Sequence, residues 1–174
     1  MRLRLFRCRH CGKIGFLILH GYLSGYDEQG GSDRCRRGHR VFCSNRGRKR
    51  GCGRTFCVML AHVLAHFILS AHTVWQFLWA AAGGSGLRQA FKKTGVAASE
   101  STPFRIFRRF CRHQPHIRSC LLALSAAPLS SGSAAFQTLL HLKTAFPESS
   151  SPISAFQLQF QKLFLPISPS SPLS

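Results

Sequence analysis

Four cysteines in the first third of the chain have the residue type and spacing of a metal site. Cys8 and Cys11 form a CxxC pair followed directly by Gly12. Two thiolates separated by two residues can bind one tetrahedral ion, and the glycine lets the backbone turn so that its N–H groups face sulfur. A second pair comes from Cys43, which follows a strand-like segment, and Cys52, which also precedes a glycine. The spacing therefore predicts a four-cysteine zinc site.

Other side chains near these cysteines offer competing ligands. Cys35 and His39 are separated by three residues, a plausible metal-ligand spacing, so either could replace a member of the second pair. Free thiols or a disulfide would need no metal at all. A thioredoxin-type redox motif is disfavoured because no βαβ pattern surrounds the CxxC pair. The second half of the site therefore stays open at the level of sequence. Further potential ligands are His10, His20 and Cys57.

The N-terminus predicts a reducing compartment. Residues 1–9 are basic, but no apolar run of about seven residues follows them before the first cysteines, so a signal peptide is not indicated. We therefore expect a cytoplasmic protein. Cysteine pairs in that compartment bind metal more often than they form disulfides.

The charge of the chain predicts a polyanionic partner. Lys and Arg number 24 and Asp and Glu 5, which gives a formal charge of +19. Fourteen of the basic residues lie in residues 1–54, and another eight lie in 88–118. So basic a chain is expected to bind the phosphate backbone of nucleic acid, with an anionic membrane surface as the second choice.

The insert between the second pair of cysteines is the most basic segment close to the predicted metal site. Arg is the side chain best suited to contact phosphate and guanine edges, because its guanidinium makes bidentate contacts. We therefore expect a basic loop at the zinc site, and its candidate nucleic-acid contacts are Arg46, Arg48, Lys49 and Arg50.

An apolar stretch follows the cysteine-rich segment. Residues 56–87 contain no Asp, Glu, Lys or Arg. This length meets the minimum for a transmembrane helix, but three histidines and a glycine-rich break count against insertion. The interpretation we prefer is a pair of buried or interfacial helices, at about 58–69 and 72–82. A single membrane span is the alternative.

Residues 86–113 have the pattern of a helix-turn-helix. A first helix is predicted over about Leu87–Lys93, and Gly95 suits the turn after it. Ser101 or Thr102 can cap a second helix, and Pro103 suits its first turn. Such a second helix would pack one side inward and present arginines to a major groove. The predicted inward side is Phe104, Phe107, Phe110 and Cys111, and the predicted nucleic-acid contacts are Arg105, Arg108, Arg109 and Arg112.

The cysteine-rich segment also resembles a known family. Residues 42–47 read FCSNRG and residues 51–56 read GCGRTF, after the CxxC-Gly and before an apolar stretch. This order resembles the zinc-ribbon front end of bacterial insertion-sequence transposases, and is closer still to short bacterial proteins that carry an FCSNRG…GCGRTF segment. The resemblance covers roughly residues 6–120 and implies a zinc ribbon followed by a DNA-binding helix-turn-helix. The second cysteine pair departs from the transposases because its spacing is x8 and not x2.

Catalysis is not expected from this sequence. Transposases hold two metal ions with three carboxylates, and the five acids of this chain do not supply such a set. They are Asp27, Glu28, Asp33, Glu100 and Glu148.

These observations predict a mainly α fold with a small N-terminal β zinc ribbon and a helical bundle that contains a helix-turn-helix. Predicted domains are a zinc-ribbon module over 1–57, a helical domain over 58–147, and a Ser/Pro-rich tail over 148–174 with one short docking segment. We expect a zinc-dependent protein that binds double-stranded DNA and has no small-molecule substrate, possessing a transposon-associated or regulatory role. The alternatives are a small membrane-associated protein anchored by 56–82, and a degenerate reading frame.

Overall fold

The division between two structural units lies at Leu60 and Ala61. The computed structural model describes residues 3–28 and 34–166. Its contacts separate Met1–Leu60, here called the sheet unit, from Ala61–Ser174, here called the helical unit. The sequence placed this boundary after residue 57, and a strand that continues to Met59 moves it towards the C-terminus.

The sheet unit is built on three antiparallel strands in the order β1-β2-β3. A short 3-10 helix, Leu3–Leu5, precedes them. The strand-like segment expected before Cys43 is the end of the second strand. The buried core of this unit is small, and two of its five described residues are cysteines: Cys8, Leu17, Val41, Phe42 and Cys43. The strands are β1 (Leu17–Gly25), β2 (Cys35–Cys43) and β3 (Thr55–Met59).

The helix expected at 58–69 is wrong. Strand β3 pairs with β2, with Val41 opposite Phe56 and His39 opposite Val58. Turns and an isolated bridge between Val63 and Ser70 occupy the residues that follow. Aromatic and β-branched residues favour strands when a partner strand is available, and a short apolar run does not by itself distinguish helix from strand. Pairing with β2 therefore decided the structure of this segment.

The helical unit contains five α-helices among the described residues. Serine side chains cap three of them, because a serine oxygen can accept a bond from an N–H group that the first turn leaves unpaired. Ser70 accepts from the Thr73 N–H at 3.1 Å, for example. The first helix confirms the one expected at 72–82. The helices are α1 (Ala71–Ala82), α2 (Leu87–Lys92), α3 (Thr102–Leu122), α4 (Ala134–Ala145) and α5 (Pro152–Phe160).

The core of the helical unit is rich in phenylalanine. Phe77, Phe110, Phe156 and Phe164 are fully buried. The ring of Phe110 stacks on Phe164 at 6.0 Å, and Phe156 meets Phe164 edge-on at 5.5 Å. Aromatic pairs of this kind favour such offset or edge-to-face arrangements.

The docking segment expected in the tail is α5 and the residues after it. The order of apolar and polar residues in this segment fits both a helix and a strand. In the structure it is a helix that ends at Phe160. Gln157 anchors it: its side-chain amide donates to the carbonyls of Ala61 at 2.8 Å and Val63 at 3.0 Å. Its oxygen accepts from the Phe164 N–H at 3.1 Å. Residues 167–174 of the predicted tail lie outside the described residues.

In the part of the chain that the structure describes, no helix has both the length and the apolar character required to cross a membrane. The stretch 56–82 is divided among β3, a series of turns and the twelve-residue helix α1.

The described residues thus combine a three-stranded antiparallel sheet with five helices, a mixed fold and not a mainly helical one. A nine-residue linker, 93–101, joins α2 to α3. Both helices begin close to their predicted starts. The turn of a helix-turn-helix has three or four residues, so the connection between them is longer than that motif requires.

Candidate metal centre

The four cysteines predicted as ligands come together in the sheet unit. Sγ of Cys8 lies 3.7 Å from Sγ of Cys52, and Sγ of Cys11 lies 3.8 Å from Sγ of Cys43. All four sulfurs lie within 4.8 Å of one another. A tetrahedral ion with metal–sulfur bonds of about 2.3 Å would place its sulfurs about 3.8 Å apart. This cluster of Cys8, Cys11, Cys43 and Cys52, here called the cysteine cluster, can therefore hold a metal ion.

The cysteine cluster is not a pair of disulfides. A disulfide bond is about 2.05 Å long, well below the sulfur–sulfur distances in the cluster. All eight cysteines lie in the described ranges and all are free.

The first half of the cluster is a tight turn closed by backbone hydrogen bonds. The Cys8 N–H donates to the Lys13 carbonyl at 2.9 Å, and the Gly12 N–H donates to the Cys8 carbonyl at 2.8 Å. Gly12 has a φ of 70°, which explains the glycine after the CxxC pair. The His10 N–H points at Sγ of Cys8 at 3.4 Å. Backbone N–H groups thus face sulfur, as the CxxC-Gly pattern predicts.

The second half repeats this turn in spite of its longer spacing. The Cys43 N–H donates to the Arg54 carbonyl and the Gly53 N–H donates to the Cys43 carbonyl, both at 2.9 Å. Gly53 has a φ of 71°, nearly that of its counterpart in the first turn. The Cys52 N–H points at Sγ of Cys43 at 3.3 Å. The two halves therefore have the same closing bonds and the same left-handed glycine.

The eight residues between Cys43 and Cys52 form an insert whose two ends meet. The Gly51 N–H donates to the Ser44 carbonyl at 2.9 Å, which brings the two ends of the insert together. Ser44 and Gly51 then stand where the two middle residues of an x2 pair would stand. The six residues 45–50, here called the basic loop, project from between them. An x8 spacing can therefore form the geometry of an x2 spacing.

Gly51 should be sensitive to substitution, because a Cβ there would collide with the carbonyl of Ser44. We expect Gly51→Ala to speed the loss of bound metal to a chelator by about tenfold or more, since the collision opens the second turn. The rate is measured by competition with a chromogenic chelator.

Gly47→Ala is the matched control. Gly47 has a φ of 62°, but a Cβ there would meet nothing within 4 Å. Its cost is limited to about 1 kcal/mol of backbone strain in the loop. Equal metal loss from both variants would contradict the role given to the close contact of Gly51.

Two thiols of the cluster differ widely in pKa. Burial raises the pKa of the Cys8 thiol, but hydrogen bonds from the backbone N–H groups of His10 and Cys11 outweigh burial and bring the pKa down to about 7. Burial and the neighbouring thiols raise the pKa of Cys43 to about 12. Four thiolates this close repel one another, and a divalent cation removes that repulsion as it displaces the protons.

The competing ligands do not join the cluster. Cys35 lies eight residues from Cys43 along β2, which is about 27 Å in an extended strand, and its thiol donates to the Gly25 carbonyl at 3.3 Å. His39 packs its ring against that of Tyr22 at 5.5 Å. The remaining alternatives are also engaged elsewhere or exposed: His10 packs on Phe56, His20 packs on Phe42, and Cys57 is exposed on β3.

The basic loop is exposed at all four of its predicted nucleic-acid contacts, which are Arg46, Arg48, Lys49 and Arg50. Nζ of Lys13, from the first turn, donates to the carbonyl of Arg50 at 2.9 Å. This bond attaches the loop to the opposite half of the cluster. Sequence reasoning missed the other exposed basic residues of the two turns, although they directly flank the ligand cysteines. They are Arg7, Arg9, Lys13 and Arg54.

Helix α3 presents three of its four predicted contacts. Arg105, Arg108 and Arg112 are exposed. Arg109 differs from the prediction, because its Nε donates to the Pro166 carbonyl at 2.9 Å and its guanidinium lies over the ring of Phe67 at 5.0 Å. Burial, and then the neighbouring arginines, lower the pKa of Arg109. Arg109 therefore joins α3 to the rest of the helical unit and is not presented as a contact.

The inward side of α3 agrees with the prediction in part. Phe110 is fully buried and Phe107 is half-buried, as predicted, whereas Phe104 and Cys111 are exposed. Ile106 and Ile117, which the prediction omitted, are also fully buried. A helix of 21 residues buries a stripe that follows its 3.6-residue period over its whole length. The eight residues from 104 to 111 were too few to define that stripe.

No protein-family model, no curated protein and no solved structure matches this chain. What the protein does must therefore follow from its own residues and their geometry.

Proposed function

We propose that the protein is a zinc-dependent DNA-binding protein whose partner is double-stranded DNA. The observation that carries this proposal is that a six-residue basic loop projects from the second turn of the four-cysteine cluster. The role of the ion is structural, because four protein ligands leave no open coordination position for chemistry.

Zinc is the ion that best suits the cluster. Soft thiolate ligands in a tetrahedral set select zinc or an iron–sulfur centre among the common metals of proteins. The sulfurs of Cys8 and Cys52 are 3.7 Å apart, a distance that fits ligation of one ion. Glycine-assisted turns with N–H groups aimed at sulfur are also typical of structural zinc sites.

The basic loop is suited to bind a phosphate backbone. Four of its six residues are cationic and exposed, and residues 34–99 contain no Asp or Glu. Because Ser44 and Gly51 close the loop and Lys13 attaches it to the first turn, the loop has less conformational freedom to lose on binding than an open loop would. Arg side chains in such a loop can make bidentate contacts to phosphate oxygens.

Helix α3 supplies a second basic surface. Arg105, Arg108 and Arg112 stand at i, i+3 and i+7, so they share one side of the helix. We propose that α3 presents these three arginines to a groove of the duplex, with α2 and the nine-residue linker before it. A transposon-associated or regulatory role in the cytoplasm would fit this arrangement.

Duplex binding as a function of salt tests the proposal. A fluorescein-labelled 20-base-pair duplex is titrated with the full chain at 50 and 200 mM salt, and binding is followed by anisotropy. If six or more phosphates are neutralised, the affinity should fall by about a thousandfold between these conditions. Removal of the metal by a chelator should abolish most of the binding.

Two results would oppose the proposal. One is an affinity that stays flat with salt or survives complete metal removal. The other is binding to anionic phospholipid vesicles in the absence of any duplex binding, which would favour the membrane-surface alternative. The triple variant Arg105→Gln, Arg108→Gln, Arg112→Gln isolates the part of the salt dependence that α3 contributes.

A further inference from the structure

The hairpin formed by β1 and β2 carries a cross-strand group of planar side chains in contact with one another. The guanidinium carbon of Arg36 lies 3.8 Å from the centre of the Tyr22 ring. The ring of His39, which is opposite Tyr22 in the strand register, lies 5.5 Å from that ring on centroids. Arg36 therefore lies over the face of Tyr22, and the His39 ring packs beside Tyr22 at an interplanar angle of 57°.

A second planar pair stands further along the same hairpin. The guanidinium carbon of Arg34 lies 5.8 Å from the centre of the Tyr26 ring. Arg37 donates from Nη1 to the Tyr26 carbonyl at 2.9 Å and so holds the backbone at this tyrosine. Both tyrosines are unusually open, since Tyr22 is 53% and Tyr26 50% exposed.

These side chains contribute little to the core of the sheet unit. That core is built around Cys8, Leu17, Val41 and Cys43, with neither tyrosine in it or packed against it. Exposed aromatic rings flanked by cations are typical of surfaces that bind a ligand. The group therefore calls for an explanation other than folding.

We propose that this face of the hairpin binds unpaired bases of single-stranded DNA. The face comprises Tyr22, Tyr26, Arg34, Arg36 and His39 and is here called the stacking surface. Tyr22 takes one face of the Arg36 guanidinium, and Arg36 is itself exposed. The second face of a guanidinium, like an aromatic ring, accepts a base by stacking.

The ligand is a single strand and not a duplex, because the bases of a duplex are stacked on one another and present only their edges. The inference rests on the proposed function only in taking DNA as the ligand. It adds a different form of DNA and a different surface from the basic loop. Asp27 and Glu28 follow Tyr26 directly, so we expect bases and not phosphates to lie at that end of the surface.

Substitution of Tyr22 tests the proposal in the full, metal-loaded chain. Tyr22→Ala removes the ring that holds the Arg36 guanidinium in place. We expect this change to weaken binding of a labelled thymidine 12-mer about tenfold, since the loss of one stacking position for a base typically has an effect of this size. Tyr22→Phe keeps the ring and is the matched control, which should bind within about twofold of the unchanged chain. Binding of a blunt 20-base-pair duplex should be the same for all three proteins within about twofold.

A second variant and a second ligand separate bases from phosphates. Arg36→Lys keeps the charge but loses the planar group, so it should also weaken the 12-mer. An abasic strand of equal length, which has phosphates but no bases, should bind the unchanged chain and Tyr22→Ala equally. Circular dichroism and metal content show that each variant is folded.

Three results would overturn the proposal: Tyr22→Ala without effect on the 12-mer, an equal loss of duplex binding, or an equal loss with the abasic strand. An RNA strand bound about tenfold more tightly than DNA would overturn the choice of ligand. Failure of the proposed function has a different signature. In that case charge removal from the basic loop would leave duplex binding unchanged, whatever the result for Tyr22.

Discussion

Cys8→Ser is expected to reduce the zinc content from one ion per chain to none and to unfold the sheet unit. Cys8 is 2% exposed, and the serine hydroxyl that replaces it is not a thiolate ligand. Apart from two cysteines, the buried hydrophobic residues of this unit among those described are Leu17, Val41 and Phe42. Binding of a structural zinc ion is worth about 10–16 kcal/mol, and a folded domain has a net stability of only about 5–15 kcal/mol. Loss of the ion therefore removes most of what holds the strands together.

Elemental analysis of the purified chain gives the zinc content, and amide hydrogen exchange shows which unit has unfolded. Exchange should become fast over the sheet unit, whereas the helical unit has its own core and should keep its protection. Cys57→Ser is the matched control, because Cys57 is exposed on β3 and lies outside the cluster. Stoichiometric zinc in Cys8→Ser, or its loss from Cys57→Ser, would be incompatible with the assigned ligand set.

Neutralising the basic loop is expected to weaken duplex binding by about a hundredfold or more at moderate salt. The variant replaces Arg46, Arg48, Lys49 and Arg50 with Gln, which keeps the side-chain length and polarity but removes four charges. Each phosphate contact contributes about 0.9 to the slope of log affinity against log salt, so the slope should become shallower by about 3 to 4. Anisotropy titrations of one duplex at several salt concentrations measure both quantities. Zinc content should be unchanged, because the loop holds none of the four ligands.

A pair of double variants controls for net charge. Arg48→Gln with Lys49→Gln and Lys143→Gln with Lys162→Gln each remove two charges, and all four residues are exposed. We expect only the loop pair to reduce the slope, by about 2. Equal effects of the two pairs would mean that DNA responds to total charge, and the loop would then have no special role.

The parts of the fold that the sequence predicted correctly are those with local chemical signals. The spacing alone predicted Cys8 and Cys11 as a pair. The strand before Cys43, the Gly-Arg-Thr-Phe segment after Cys52 and the family resemblance favoured the second pair but left Cys35 and His39 as competitors. The start of α3 was expected at Ser101 or Thr102 with Pro103 in the first turn. The helix begins at Thr102 with Pro103 in its first turn, although Ser101 makes no side-chain capping bond. A first-turn proline or a CxxC pair acts over a few residues, so its signal is complete in the sequence.

The parts that could not be predicted depend on partners distant in sequence. Residues 55–59 became a strand because β2 lies beside them, and Arg109 turned inward because Pro166 offers a carbonyl 57 residues away. The stack of Arg36 on Tyr22 needs a hairpin register that no local pattern reveals. The same is true of the insert in the second cysteine pair, since a length of eight residues does not show that its two ends meet.

The closing hydrogen bond between Gly51 and Ser44 separates the geometry of the cysteine cluster from the length and composition of the basic loop. The four cysteines of the cluster lie on one side of the closing bond, and all six residues of the loop lie on the other. Changes in the length or composition of the loop would therefore leave the coordination geometry in place. The loop is therefore a suitable site for inserting a peptide, which would be displayed on the fixed framework of the cysteine cluster.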